Sequence, residues 1–232
     1  MSKRTIVTIG CAVFLTATSA FAKLSGDEAK RLSEATTVIN ELRTAPDTGI
    51  PQDLWNKAQC VVVIPGMKKA AFVFGGEYGS GVMSCRTAND WSSPVFMQLA
   101  KGSVGFQIGA EQTDLVLLIM NRRGLDKLLS DKVSLGADAS IAAGPVGRAA
   151  SAATDAQLSA EILSYSRSQG LFAGINLSGG TLKPDKEALV RAYGSGVTAS
   201  EIATGTRQVT LEPASPFLAA LRQSSGRAAP AN

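Results

Sequence analysis

The sequence predicts an α+β fold: a single domain on a curved, mostly antiparallel β-sheet or partial barrel, with N- and C-terminal helices packed on it. Three observations carry this. Helical patterns cluster at the two ends of the mature chain, while the middle alternates with the two-residue period of strands. No strand–helix alternation repeats, which argues against a doubly wound parallel sheet. No internal repeat or long linker divides the 232 residues, and 45% of them are apolar, enough for one sizeable core.

Residues 1–22 read as a secretory signal. Lys3 and Arg4 form its positive start, Thr5 to Ser19 its apolar stretch, and Ala20-Phe-Ala22 a small-x-small cleavage site before Lys23. The stretch is shorter than the roughly 20 residues of a membrane span. Lipoprotein processing at Cys11 and retention as an uncleaved anchor are the alternatives. Cleavage lowers the net charge from +4 to about +2 and removes one of the three cysteines. The mature chain then divides into a domain over 23–224 and a flexible tail over 225–232. Its location is the periplasm or the exterior, with peripheral association to the envelope.

The elements follow in order. Ser25-Gly-Asp-Glu28 has the spacing of a capping box. Leu32, Ala35, Ile39 and Leu42 then form the stripe of an amphipathic helix ending near Ala45-Pro46. The mixed charges of Lys30, Arg31, Glu34 and Glu41 favour packing on the core over lying on a membrane. Pro51 to Ala58 predicts a second, short helix. Cys60 to Ile64 is a strand ending at a Pro65-Gly66 turn. Ala70–Tyr78, Ser80–Cys85 and Pro94–Ala100 are further strands. In Ser103–Gly109, Val104, Phe106 and Ile108 face one way, and Gly105, Gln107 and Gly109 face the other. Leu115–Met120, wholly apolar, is a central strand. Arg122–Leu129 is a short helix, Leu135–Ala142 an alternating strand, and Ile162–Arg167 with Leu171–Leu177 a hairpin. Helices over Pro184–Ala192 and Pro216–Gln223 close the fold.

Composition excludes much chemistry. There is no histidine, so no Ser-His-Asp triad, Cys-His pair, His-ligated zinc or HExxH helix is available. Gly75-Gly-Glu-Tyr-Gly-Ser-Gly81 matches neither GxGxxG nor GxxxxGK and reads as a glycine-rich strand pair. Ser80 and Ser178 lie outside any nucleophile elbow. Glu77, Glu111, Asp114 and Asp138 are the acids from which a catalytic pair would be drawn, and structural roles are favoured for them. The chain reads as a non-enzyme without cofactor or metal. Cys60 and Cys85, both in strand-like segments of an exported chain, form a cross-strand disulfide or remain two buried thiols.

The small net charge does not support a nucleic-acid partner. Local basic groups are Lys68-Lys69; Arg122-Arg123 with Lys127 and Lys132; Arg148 after Gly144-Pro-Val-Gly147; and Arg167 before the Ser168–Gly170 turn. Each alone reads as a solvated face, and together they would make an anion site for phosphate head groups.

Between Cys60 and Tyr193 the chain resembles the SYLF domain family. The resemblance rests on Val63-Ile-Pro-Gly66, Phe74-Gly-Gly-Glu-Tyr-Gly-Ser-Gly-Val82, Trp91-Ser-Ser-Pro-Val-Phe96 and Gly102-Ser-Val-Gly-Phe-Gln-Ile-Gly109. It continues through Leu117-Leu-Ile-Met-Asn121, Leu135-Gly-Ala-Asp-Ala-Ser140, Gly144-Pro-Val-Gly-Arg148 and Ser164-Tyr-Ser-Arg-Ser-Gln-Gly-Leu-Phe-Ala-Gly174. It implies a membrane-lipid-binding domain without catalytic residues. In an exported bacterial-type chain the ligand it implies is an anionic or envelope phospholipid. Actin, bound by some fungal members, is not carried over. Gln169 stands where many members have Lys, which weakens the basic contact expected there. The competing class is a structural or protein-interaction module with an envelope protein as partner.

Overall fold

The structure is a computed structural model that describes residues 24–45, 49–71, 74–88, 90–104, 112–130, 132–147, 159–168, 171–207 and 209–226. The signal segment, Cys11, the 105–109 glycine face, Glu111, Arg148 and most of the tail lie outside them. Helix α1 (Gly26–Thr44) forms on the expected stripe, with Leu32, Ala35, Ile39 and Leu42 buried and Val38 beside them. Pro51 opens α2 (Gln52–Lys57). Strands β1 (Cys60–Ala71), β2 (Phe74–Cys85), β3 (Val95–Val104) and β4 (Gln112–Ile119) follow, then α3 (Arg122–Leu128). Next come β5 (Val133–Ser134), β6 (Ile141–Ala143), β7 (Ile162–Ser168), β8 (Leu171–Gly174) and β9 (Gly180–Pro184). Helices α4 (Lys186–Tyr193), α5 (Ala199–Ala203) and α6 (Ser215–Ser224) end the described chain.

The strands form one curled sheet in the order β5-β9-β3-β2-β1-β4-β7-β6, with β8 on β7. Among the described strands every pairing is antiparallel except β6 with β7. The α+β reading with helices at both ends therefore holds. The apolar run in β4 is buried from Leu115 to Ile119, flanked by β1 and β7 as a central strand should be. Helix α1 packs on β1, β2 and α6. Two ion pairs tie it to α4: Arg31 to Asp185 at 2.7 Å and Arg191 to Glu28 at 2.7 Å.

Several local expectations change. Ser25 and Glu28 do not make a capping box, because the serine hydroxyl donates to the Glu28 carboxylate and caps no backbone N–H. Glu28 is buried, and the Arg191 fork holds it. The formed capping box is Thr198 with Glu201, at the start of α5. Pro65-Gly66 does not end its strand. Between Ile64 and Met67, β1 carries two residues opposite Asp114 alone, a β-bulge with Gly66 at φ 55°. The bulge absorbs the missing proline donor, and the Gly66 N–H goes to the Asp114 carboxylate at 2.8 Å.

Ala70–Tyr78 is not one strand either. β1 ends at Ala71 and β2 begins at Phe74, running unbroken through Gly79 and Gly81. Those two glycines admit the bulge: a Cβ on Gly81 would stand 1.9 Å from the Val63 carbonyl oxygen. The expected strand Leu135–Ala142 is mostly a turn. Gly136 has φ 88°, the Asp138 carboxylate accepts from the Ser134 N–H at 2.7 Å, and only Ile141 and Ala142 join β6. β9 and α5 carry no pattern strong enough to have marked them in the sequence.

Cys60 and Cys85 are register partners on β1 and β2, and their sulfurs are bonded. Of the two readings left open, the disulfide is the one present.

Candidate functional site

The antiparallel order separates the basic residues. Cys60 of β1 lies beside Ile119 of β4, and Ile119 beside Ile162 of β7, so α3 leaves the sheet at that end. Lys68 pairs in register with Gln112, and Arg167 with Asp114, at the other end of β4. Eight residues of extended strand span roughly 24 Å. Lys68, Lys69 and Arg167 therefore stand at one end of the sheet, and Arg122, Arg123 and Lys127 at the other. The local clusters do not converge into one site, and Arg148 lies outside the described residues.

At the first end Arg167 is matched by acids, while Lys68 is exposed. Arg167 donates to Asp114 at 3.2 Å, pairs with Glu41 of α1 and lies 5.9 Å from the Phe172 ring centre. It ties α1 to β4 and β7. Lys69 is register partner of Glu77. Lys68 is exposed and lines a groove of about 370 Å³ beside α1, together with Lys30, Glu34, Glu41, Asp114 and Arg167.

The α3 end has a different balance. The Asn121 side chain caps α3 by accepting from the Gly124 N–H at 2.9 Å. Gly124 is buried against the Glu161 backbone, where a Cβ would meet the carbonyl oxygen at 3.1 Å. This close seat brings Lys127 onto Glu161, with Nζ 2.9 and 2.8 Å from the two carboxylate oxygens. The Ser140 N–H donates to the same carboxylate at 2.8 Å. Burial opposes ionisation of Glu161, but Lys127 and Ser140 outweigh it and hold the carboxyl below its ordinary 4.5. Arg122 pairs with Asp126 at 3.0 Å, both exposed. Asp138 is held low first by the Ser134 N–H, with the fields of Lys127 and Lys132 adding to it.

Among the described residues the acids of this corner are thus engaged, while two cations face outward. Arg123 is 80% exposed, with Glu161 no nearer than 3.9 Å. Lys132 is exposed. Arg123, Lys127 and Lys132 line one wide, shallow groove with Asp126 and Asp138. Such a surface can meet phosphate groups presented from outside. It does not enclose a ligand.

The candidate acids do not gather. Asp114 and Asp138 line grooves at different ends of the sheet, Glu77 lies on β2, and Glu111 is outside the described residues. Among the described residues no His, Cys, Asp and Glu cluster is placed to hold a metal ion. Sequence reading overlooked Glu161, the anchor of the α3 corner. Its partner Lys127 is 34 residues away, and no local pattern joins the two.

The chain matches a family model described as Ysc84, Las17-binding protein actin regulator, over residues 100–224. It is 37% identical over 164 residues to LAS seventeen-binding protein 3 of Saccharomyces cerevisiae, covering 68% of this chain and 35% of that protein. It is 33% identical over 179 residues to SH3 domain-containing YSC84-like protein 1 of Rattus norvegicus, covering 76% of this chain and 52% of that one. The chain spans about a third to a half of the length of the curated relatives it matches.

Proposed function

The chain belongs to the Ysc84 (SYLF) family, and from that premise we propose that it is an exported, non-catalytic protein that binds anionic phospholipid head groups at the cell envelope. The observation that carries this reading is the α3 corner, where Arg123 and Lys132 are exposed while the described acids are bound chiefly by Lys127, Arg122 and backbone N–H groups. Cations of this kind attract anionic lipid within a Debye length of the surface, about 10 Å at 0.1 M salt. Export follows from the charged start, apolar stretch and cleavage site of residues 1–22. Mass spectrometry of the purified protein tests it, the expected mature N-terminus being Lys23.

Binding is tested by sedimentation with phosphatidylglycerol-containing vesicles and with neutral phosphatidylcholine vesicles. The mature chain is expected to sediment with the anionic vesicles alone, and less as salt rises. Reversing Arg123 and Lys132 together to Glu should weaken binding about tenfold or more, whereas Lys68→Glu should change it little. Absence of sedimentation at low salt on anionic vesicles would refute the reading. A protein-interaction module without lipid ligand is the second reading, favoured by the family's description as Las17-binding. Salt-insensitive capture of a defined envelope protein, with no vesicle binding, would select it.

A further inference from the structure

Strand β6 departs from the rest of the sheet. Among the described strands it alone runs parallel to its neighbour, and Ile141, Ala142 and Ala143 are each only half-buried. It shares one edge of β7 with β8: β6 lies along Ile162–Ser164, and β8 along Tyr165–Ser168. The two short strands meet at a pair of glycines. A Cβ on Gly174 would stand 2.3 Å from the Gly144 carbonyl oxygen, and a Cβ on Gly144 would stand 2.0 Å from Cζ of Tyr165.

The two ends of the segment are held differently. At its start Ser140 and Glu161 bond reciprocally. The Ser140 N–H donates to the Glu161 carboxylate at 2.8 Å, and the Glu161 N–H donates to Ser140 Oγ at 2.9 Å. The Ile162 N–H reaches the Ser140 carbonyl at 3.0 Å. Farther on, the Gly144 N–H donates to the Ser164 carbonyl at 3.0 Å, but that oxygen also accepts from the Ile175 N–H at 3.2 Å. The Ser164 hydroxyl likewise has two acceptors in reach, the Ala142 carbonyl at 3.1 Å and that of Ile175. Ser164 therefore keeps partners beyond β8 when β6 leaves. Pro145 has no N–H to donate, and Gly147 makes one backbone bond, to the Gly49 carbonyl at 3.1 Å.

Gly144 sits against Tyr165, which is fully buried and whose hydroxyl has no partner among the described residues. A buried hydroxyl left unpaired is costly and calls for an explanation. Water would pair it once the segment over it moved away.

We propose that Ala142–Gly147 form a strap that lifts from β7 about a hinge at Ser140, with the unpaired Tyr165 hydroxyl weakening the closed state. Lifting hydrates that hydroxyl, leaves Ser164 bonded to Ile175 and uncovers the outer edge of β7 at Ile162–Ser164. The hinge stays on Glu161, so the α3 corner keeps its anchor and the strap stands or falls independently of head-group binding.

The test is native-state amide hydrogen exchange of the mature chain, followed by NMR over low urea concentrations. The Gly144 amide should exchange at least about tenfold faster than those of Val116 and Leu118 in β4, and with little dependence on urea. The Ile162 amide, at the hinge, should stay as slow as β4. Tyr165→Phe removes the unpaired hydroxyl, so it should slow exchange at Gly144 about tenfold and raise the urea midpoint. Gly144→Ala adds a Cβ that the closed strap does not admit, so it should speed exchange at Ala142 while β4 stays protected. Four results would each overturn the proposal: exchange of Gly144 only through global unfolding, an Ile162 amide as labile as that of Gly144, destabilisation by Tyr165→Phe, or loss of β4 protection in Gly144→Ala.

Discussion

Replacing Cys60 and Cys85 together by Ala should destabilise the fold by several kcal/mol. The bond joins positions 25 residues apart. Opening a loop of that length returns to the unfolded chain conformational freedom worth about 3.5 kcal/mol at 25 °C. Both side chains are buried, at 0% and 1% exposure, so truncation adds a smaller packing loss. For a domain of this size 1 kcal/mol moves Tm by about 2–4 °C, which places the expected fall near 7–14 °C. The assay is urea and thermal unfolding of parent and double variant, the parent measured with and without reductant. The amides of the 86–94 connection, which starts at Cys85, should also exchange faster in the variant. A double variant within 1 kcal/mol of the parent would refute the reasoning. So would two titratable thiols in the unfolded, unreduced mature protein.

Two further predictions concern charge and packing. Burial raises the carboxyls of Glu28, Glu161 and Asp185, but their bonds to Ser25 and Arg191, to Lys127 and Ser140, and to Arg31 and Ala188 hold them below their ordinary 4.5, 4.5 and 3.8. Their folded values lie below the unfolded ones, so their stabilisation is present above those ordinary values and lost as the pH falls through the folded ones. Burial pushes Tyr165 and Tyr193 above their ordinary 10.0, so their contribution is complete below pH 10 and is lost as the pH rises beyond it. Urea midpoints across pH should fall on both sides, and a flat profile into strong acid would contradict the carboxylate bonding. Gly81→Ala should cost about 3 kcal/mol or more, because its Cβ meets the Val63 backbone and no side chain can yield. Gly102→Ala, with nothing within 4 Å, should be near neutral, and equal effects at the two sites in unfolding titrations would argue against the close approach.

Periodicity made some of the fold legible and left other parts dark. The α1 stripe and the β4 apolar run were readable because each element buries one face or all faces, and burial writes a repeating pattern. The 135–142 alternation misled, because a period of two also arises where Gly136 and Asp138 build a turn. Pro65-Gly66 misled for a related reason: those residues suit a turn and a bulge equally, and only the neighbouring strand decides. Ser25–Glu28 has the spacing of a cap, yet Arg191 on a distant helix claims the glutamate.

For the candidate site the division is sharper. The family, the α+β class, the absence of histidine chemistry and the identity of the positively charged side chains are all legible in the amino-acid order. Those properties are local or compositional, so they do not depend on how the chain folds. That the basic residues fall at opposite ends of a sheet follows from strand pairing in the folded chain. Arg167 is locked between Asp114 and Glu41, whereas Arg123 and Lys132 face outward. Charge is a property of a residue, but its availability depends on partners that antiparallel pairing brings from tens of residues away.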